Sequence, residues 1–139
     1  MSVGKSTWRG DRIRFRPYND TAGHLAGDEL LQTVASALRA RTRSTDLVVR
    51  WGGDEFCILL PYTTADRAVA AANSLVEAVR EATRVLPLPE ELGRLGASAG
   101  VACFPEDADD GTGLIAKADA ALYRVKETER GRVLRLKAS

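Results

Sequence analysis

Several ingredients are scarce in this chain. Its 139 residues include one histidine, two cysteines and one methionine, and only 6% of the side chains are aromatic. Cys57 and Cys103 lie inside apolar runs (FCILL and GVACF), with no second cysteine or histidine at metal-ligand spacing. They read as buried small hydrophobes in a reducing compartment, which excludes a disulfide framework or a zinc site. Neither sign of charge dominates: 20 Lys plus Arg stand against 19 Asp plus Glu. A near-neutral balance offers no bulk attraction for nucleic acid or an anionic membrane surface. No apolar run approaches the ~20 residues of a membrane span. The opening MSVGKSTWRG lacks the apolar stretch of a signal peptide. We therefore expect a cytoplasmic domain with no membrane contact and no nucleic-acid partner. There is no internal repeat, low-complexity tract or interdomain linker, so residues 1–139 suit a single domain with one core.

What is present is clear periodicity. Residues 11–15 (DRIRF) read as a first strand. Residues 28–42 carry Leu30, Leu31, Val34, Ala35 and Leu38 at helical spacing. Asp46–Arg50 reads as a strand, Gly52-Gly53 as a tight turn, and Glu55–Leu60 as a buried strand, so the pair forms a hairpin. A second helix spans 64–84 with Thr63 or Thr64 as N-cap, and residues 85–94 form a proline-bearing loop. Residues 95–104 read as a strand, 112–128 as a third helix, and 132–136 as an edge strand. The order β-α-β-β-α-β, then α-β, predicts an α+β fold of ferredoxin-like type. Its central sheet is largely antiparallel and flanked by helices. Such a fold hosts many functions, so the site must carry the functional reading.

Two stretches carry chemistry. In RWGGDEF (Arg50–Phe56) two glycines precede two acids at a hairpin. Adjacent carboxylates on a sharp turn repel, and a cation between them lowers that cost. Mg²⁺ with a nucleoside triphosphate meets this demand, since it takes one or two carboxylates plus phosphate oxygens. The plain alternative is a solvated turn. In FRPYNDTAGHLAGDELL (Phe15–Leu31), Asn19, Asp20, His24 and Asp28 sit among small residues before a helix. Asn can read the acceptor edge of guanine, and a carboxylate can accept from its N1–H and N2–H₂. The plain alternative is an Asx-turn followed by Asp28 as helix N-cap.

Together these stretches resemble the GGDEF family of diguanylate cyclases, from about Asp11 to Val133. The resemblance rests on Gly52-Gly53-Asp54-Glu55-Phe56 and on Phe15 through Asp28, which follow F-K-x-x-N-D-x-x-G-H-x-x-G-D. Ser98-Ala99-Gly100 and the A-D-x-A-L-Y-x-x-K run at Ala118–Lys126 add to it. The resemblance implies a polymerase-palm-like site in which two GTP molecules, one per subunit of a facing homodimer, condense into cyclic di-GMP with release of pyrophosphate. It implies Asp54 and Glu55 as catalytic acids, and Mg²⁺ (or Mn²⁺) held by Asp54, Glu55, Asp11 and the Arg12 carbonyl. Asn19 and Asp28 match the guanine readers, and His24 a nearby substrate contact. Gly52 and Gly53 match the turn on which the nucleotide lies. Phe15, Arg16, Lys126 and Arg130 match groups that touch the phosphates, although a basic helix C-terminus is also favoured by the helix dipole. Arg43 and Asp46 stand at the spacing of the family's R-x-x-D inhibitory product site.

The match breaks at the start. The family's opening segment and apolar first strand are missing, and MSVGKSTWRG makes a poor central strand. Asp11 then completes the metal site only if residues 8–13 form that strand. Near the end, Glu129-Arg130-Gly131 replaces the family's G-R-N. The first expectation is an active diguanylate cyclase. The alternatives are a catalytically weak receptor for cyclic di-GMP or GTP, and a bare interaction module.

Overall fold

The computed structural model describes residues 3–10, 24–52, 55–86, 97–128 and 132–136, with the backbone alone at 3–10, 24–26, 52 and 126–128. Among the described residues eight elements follow one another: β1 (Val3–Gly10), α1 (His24–Ala40), β2 (Leu47–Gly52), β3 (Glu55–Leu60), α2 (Ala65–Thr83), β4 (Ala97–Phe104), α3 (Gly111–Thr128) and β5 (Val133–Arg135). They build one five-stranded sheet in the order β2-β3-β1-β4-β5. The first four strands pair antiparallel, and β5 joins β4 in parallel. This is the expected ferredoxin-like order with one added edge strand.

β4 shows how the layers are divided. It is buried on both faces, so its sequence reads as a continuous small and apolar run rather than an alternation. Ala97, Ala99, Val101 and Cys103 join the main core with Leu30, Leu31, Val34 and Leu38 of α1 and Ala72, Leu75, Val76 and Val79 of α2. Ala102 packs instead with Leu114 and Ala118 of α3. Two helices therefore cover one face, and α3 covers part of the other. Leu38, Ile58 and Leu75 are at most 1% exposed, and each such side chain contributes roughly 1.5–3 kcal/mol by leaving water. At Gly100 an added Cβ would lie 2.1 Å from the Ala118 carbonyl oxygen and 2.5 Å from the Leu122 nitrogen. The glycine of the SAG run is thus what lets α3 lie against β4. Burial pushes the Cys103 thiol up, so it stays protonated and serves as packing.

The first strand differs from expectation. It runs over Val3–Gly10, and residues 11–15 lie outside the described residues. Val3–Gly10, part of a segment that looked too polar and glycine-bearing, supplies the centre of the sheet. Gly4 to Arg9 pair with Leu60 to Glu55, and Val3 to Gly10 pair with Phe104 to Ala97. The reason is tertiary. β3 and β4 bury backbone donors and acceptors that need a partner between them, and that demand is met by backbone rather than by side-chain type.

Helix limits also moved. α1 begins at His24, which places Asp28 inside the helix, and the N-cap reading of Asp28 is withdrawn. For α2 the cap is Thr64, whose hydroxyl accepts from the Arg67 nitrogen at 3.4 Å. α3 is opened by Asp110, whose carboxylate accepts from the Gly113 nitrogen at 2.7 Å.

Candidate active site

The β2–β3 hairpin organises the chemistry-bearing residues. Its register runs from Leu47 opposite Leu59 to Gly52 opposite Glu55, with an irregularity between Arg50 and Gly52. Arg9 of β1 stands on the other side of Glu55. The last residues of β1 and β2 and the first of β3 thus meet at one end of the sheet. Glu55 is only 6% exposed there. Asp11, Arg12, Gly53 and Asp54 lie outside the described residues, as do Phe15, Arg16, Asn19 and Arg130. Among the described residues no three His, Cys, Asp or Glu cluster as a metal site. Of the expected metal-binding residues, Glu55 alone belongs to that described set.

Asp28 projects from the first half of α1 into an open groove of about 290 Å³ between this helix and the hairpin. Leu31, Ala35, Val48 and Phe56 form its apolar wall, and Arg39 and Arg50 bring positive charge. Asp28 is exposed and makes no hydrogen bond or ion pair with another described residue. A helix interior gives its carboxylate no backbone N–H to cap, so it is not spent on the helix's own backbone. The backbone of His24 opens the same helix, while Lys126 lies in the last turn of α3, on the helix that covers the opposite sheet face.

Arg43 and Asp46 form a second cluster at the other end of the hairpin. From Asp46 to Gly52 is six strand steps, roughly 20 Å at ~3.3 Å per residue. The Asp46 side chain is 3% exposed and the Arg43 side chain 55%. Arg43 donates to Asp46 from its backbone nitrogen at 2.7 Å and from Nη2 at 2.9 Å. The same Nη2 donates to the Pro61 carbonyl at 3.0 Å and to Thr63 Oγ1 at 2.8 Å. The hydrogen bond to Asp46 raises the Arg43 guanidinium above its ordinary value. As the turn stands, the Asp46 carboxylate is occupied, and a ligand reading its edge would have to displace Arg43. Pro61 and Thr63 were not visible as partners in the sequence; Thr63 was legible only as a possible cap.

A model of the family described as "Diguanylate cyclase, GGDEF domain" matches residues 11–132. The chain belongs to the GGDEF family. The GGDEF domain is 39% identical over 125 residues to the diguanylate cyclase DgcP of Pseudomonas aeruginosa, covering 88% of this chain and 18% of that protein. It is 41% identical over 126 residues to the diguanylate cyclase DgcM of Escherichia coli, covering 89% of this chain and 29% of that protein. The chain thus spans less than a third of either relative. Among solved structures it resembles the active GGEEF domain of a diguanylate cyclase from Vibrio cholerae, with TM-score 0.83 and 26% identity over 100% of this chain and 85% of that one. It also resembles the coiled coil and GGDEF domain of DgcB from Caulobacter crescentus in complex with c-di-GMP, with TM-score 0.85 and 27% identity over 97% and 70% of the two chains. The family match begins at residue 11, after β1, whereas the structural match to the Vibrio domain takes in the whole chain. No helix among the described residues is long and apolar enough to cross a membrane.

Proposed function

We propose that this GGDEF domain is the catalytic domain of a cytoplasmic diguanylate cyclase. It condenses two GTP molecules into cyclic di-GMP with release of two pyrophosphates. The observation that carries the reading is the setting of Glu55. Its carboxylate is buried at the end of the sheet, opposite Gly52 of β2 and Arg9 of β1, with Gly53 and Asp54 beside it in sequence. Two adjacent carboxylates at a glycine hairpin repel one another less with a cation between them, and a phosphate-bound cation is one that serves chemistry.

Asp28 accepts from the N1–H and N2–H₂ of guanine, and Asn19 reads its acceptor edge. His24 adds a further substrate contact. Gly52 and Gly53 let the nucleotide approach the backbone. Phe15, Arg16, Lys126 and Arg130 position the phosphates. Asp11, Asp54, Glu55 and the Arg12 carbonyl would hold Mg²⁺ or Mn²⁺, an all-oxygen set of hard donors. When bound, the cation neutralises phosphate charge and makes the ribose 3′-hydroxyl more acidic. Glu55 accepts the proton of that hydroxyl as it attacks the α-phosphate of the second GTP, and pyrophosphate leaves. Each nucleotide attacks the other, so two domains must face one another as a homodimer. Arg43 and Asp46 form a feedback site for the product.

The test is mass spectrometry of products after incubating concentrated protein with GTP and Mg²⁺, beside Glu55→Ala. We expect cyclic di-GMP from the parent chain and a loss of about a hundred-fold or more in the variant. GTP left intact, together with bound cyclic di-GMP, would replace this reading with that of a receptor signalling by contact.

A further inference from the structure

The turn between β3 and α2 contains a residue that the family motifs leave unused. Tyr62 has φ = 53°, in the left-handed region that a bulky side chain seldom occupies. Its side chain is 70% exposed and makes no hydrogen bond or ring contact with another described residue. Such a backbone conformation persists only when its surroundings over-determine it, and here they do. Pro61 O and Thr63 Oγ1, on either side of Tyr62, both accept from Arg43 Nη2. Thr63 Oγ1 also donates to Pro61 O at 3.0 Å. The two neighbours converge on the arginine, and Tyr62 between them stays exposed in the turn that holds it.

Arg43 is held along one edge only. Nε and Nη2 face Asp46 and the turn, whereas Nη1 makes no hydrogen bond to a described residue. The guanidinium is thus a preoriented cation with one free edge, held by a turn that also carries an exposed aromatic residue. That pair suits a flat ligand that also carries acceptors or negative charge: a purine stacks on the ring while Nη1 meets its acceptor edge or a phosphate.

We propose that Tyr62 is a base-stacking residue of the effector site, receiving a guanine of cyclic di-GMP while Arg43 engages the ligand through Nη1. Asp46 and Thr63 hold Arg43 in place for that contact. This rests on the reading of Arg43 and Asp46 as the product site, and the experiment separates the two. Cyclic di-GMP is titrated calorimetrically into the parent chain, Tyr62→Phe, Tyr62→Asn and Arg43→Ala. Asparagine tolerates the left-handed conformation, so the turn survives, and an unchanged melting midpoint checks this. We expect Tyr62→Phe to keep the parent affinity. Tyr62→Asn should bind about five-fold or more weakly, the effect of losing one base–aromatic stack. Parent-like binding by Tyr62→Asn, with binding lost in Arg43→Ala, would overturn the role of Tyr62 and leave the product site standing. Affinity indifferent to Arg43→Ala, or no binding by the parent chain, would overturn both.

Discussion

Arg43 meets Asp46 across a single turn next to edge strand β2, whereas Arg135 of the opposite edge strand β5 reaches Asp107 from 28 positions along the chain. Both aspartate side chains are buried, at 3% and 0% exposure, but the arginine side chains differ: that of Arg43 is 55% exposed and that of Arg135 21%. Asp107 receives Arg135 Nε and Nη2 at 2.8 and 2.9 Å and also the Cys103 nitrogen at 2.8 Å. It therefore ties β5 and the turn after β4 to the sheet. Asp46 ties only its own turn and leaves one edge of the guanidinium open. The same two residue types make a structural staple in one place and an open, partly exposed pair in the other. What separates them is how much of the cation the fold encloses. In both pairs the aspartate hydrogen bond raises the arginine above its ordinary value. Each arginine's contribution is accordingly present throughout the neutral range and fades as the guanidinium loses its proton at strongly alkaline pH.

The sharpest way to break this contrast is Asp107→Ala. It strands Arg135 and the Cys103 N–H, so urea unfolding should show a loss of about 3–5 kcal/mol. Asp107→Asn should cost less, because an amide oxygen can still accept from Cys103. A loss below about 1 kcal/mol would place this pair with ordinary surface pairs. Next in size is Gly100→Ala, on the same closed side. Its methyl meets backbone of α3 rather than a flexible side chain, and thermal unfolding should register about 1–3 kcal/mol. The smallest effect belongs to the open side. A double-mutant cycle of Arg43→Ala and Asp46→Ala should give a coupling clearly smaller than the same cycle for Arg135 and Asp107. A coupling equal to that of Arg135 and Asp107 would show that enclosure is not what distinguishes the two.

Much of this architecture was legible. The helical stripe of α1, the buried run of β3 and the small, apolar β4 follow from periods of 3.6 and 2 and from length. GGDEF and R-x-x-D were legible because their spacing is local. Other features were not. Residues 24–27 (HLAG) give a weak apolar signal, so the first strong cap candidate was Asp28, and the helix in fact starts earlier. Thr63 and Thr64 are equivalent by local rules. The fold gave Thr64 to the helix and Thr63 to Arg43. Nothing local to Asp107 points to Arg135.

Motif spacing and hydrophobic period, properties of neighbours along the chain, were enough to determine the family and the fold class and to nominate candidate site residues. Tertiary structure alone decided that a polar segment, Val3–Gly10, fills the centre of the sheet, because backbone pairing asks for a strand in register and little of its side chains. It also decided which arginine–aspartate pair is closed and which is open, since enclosure depends on what distant strands and helices bring over each one.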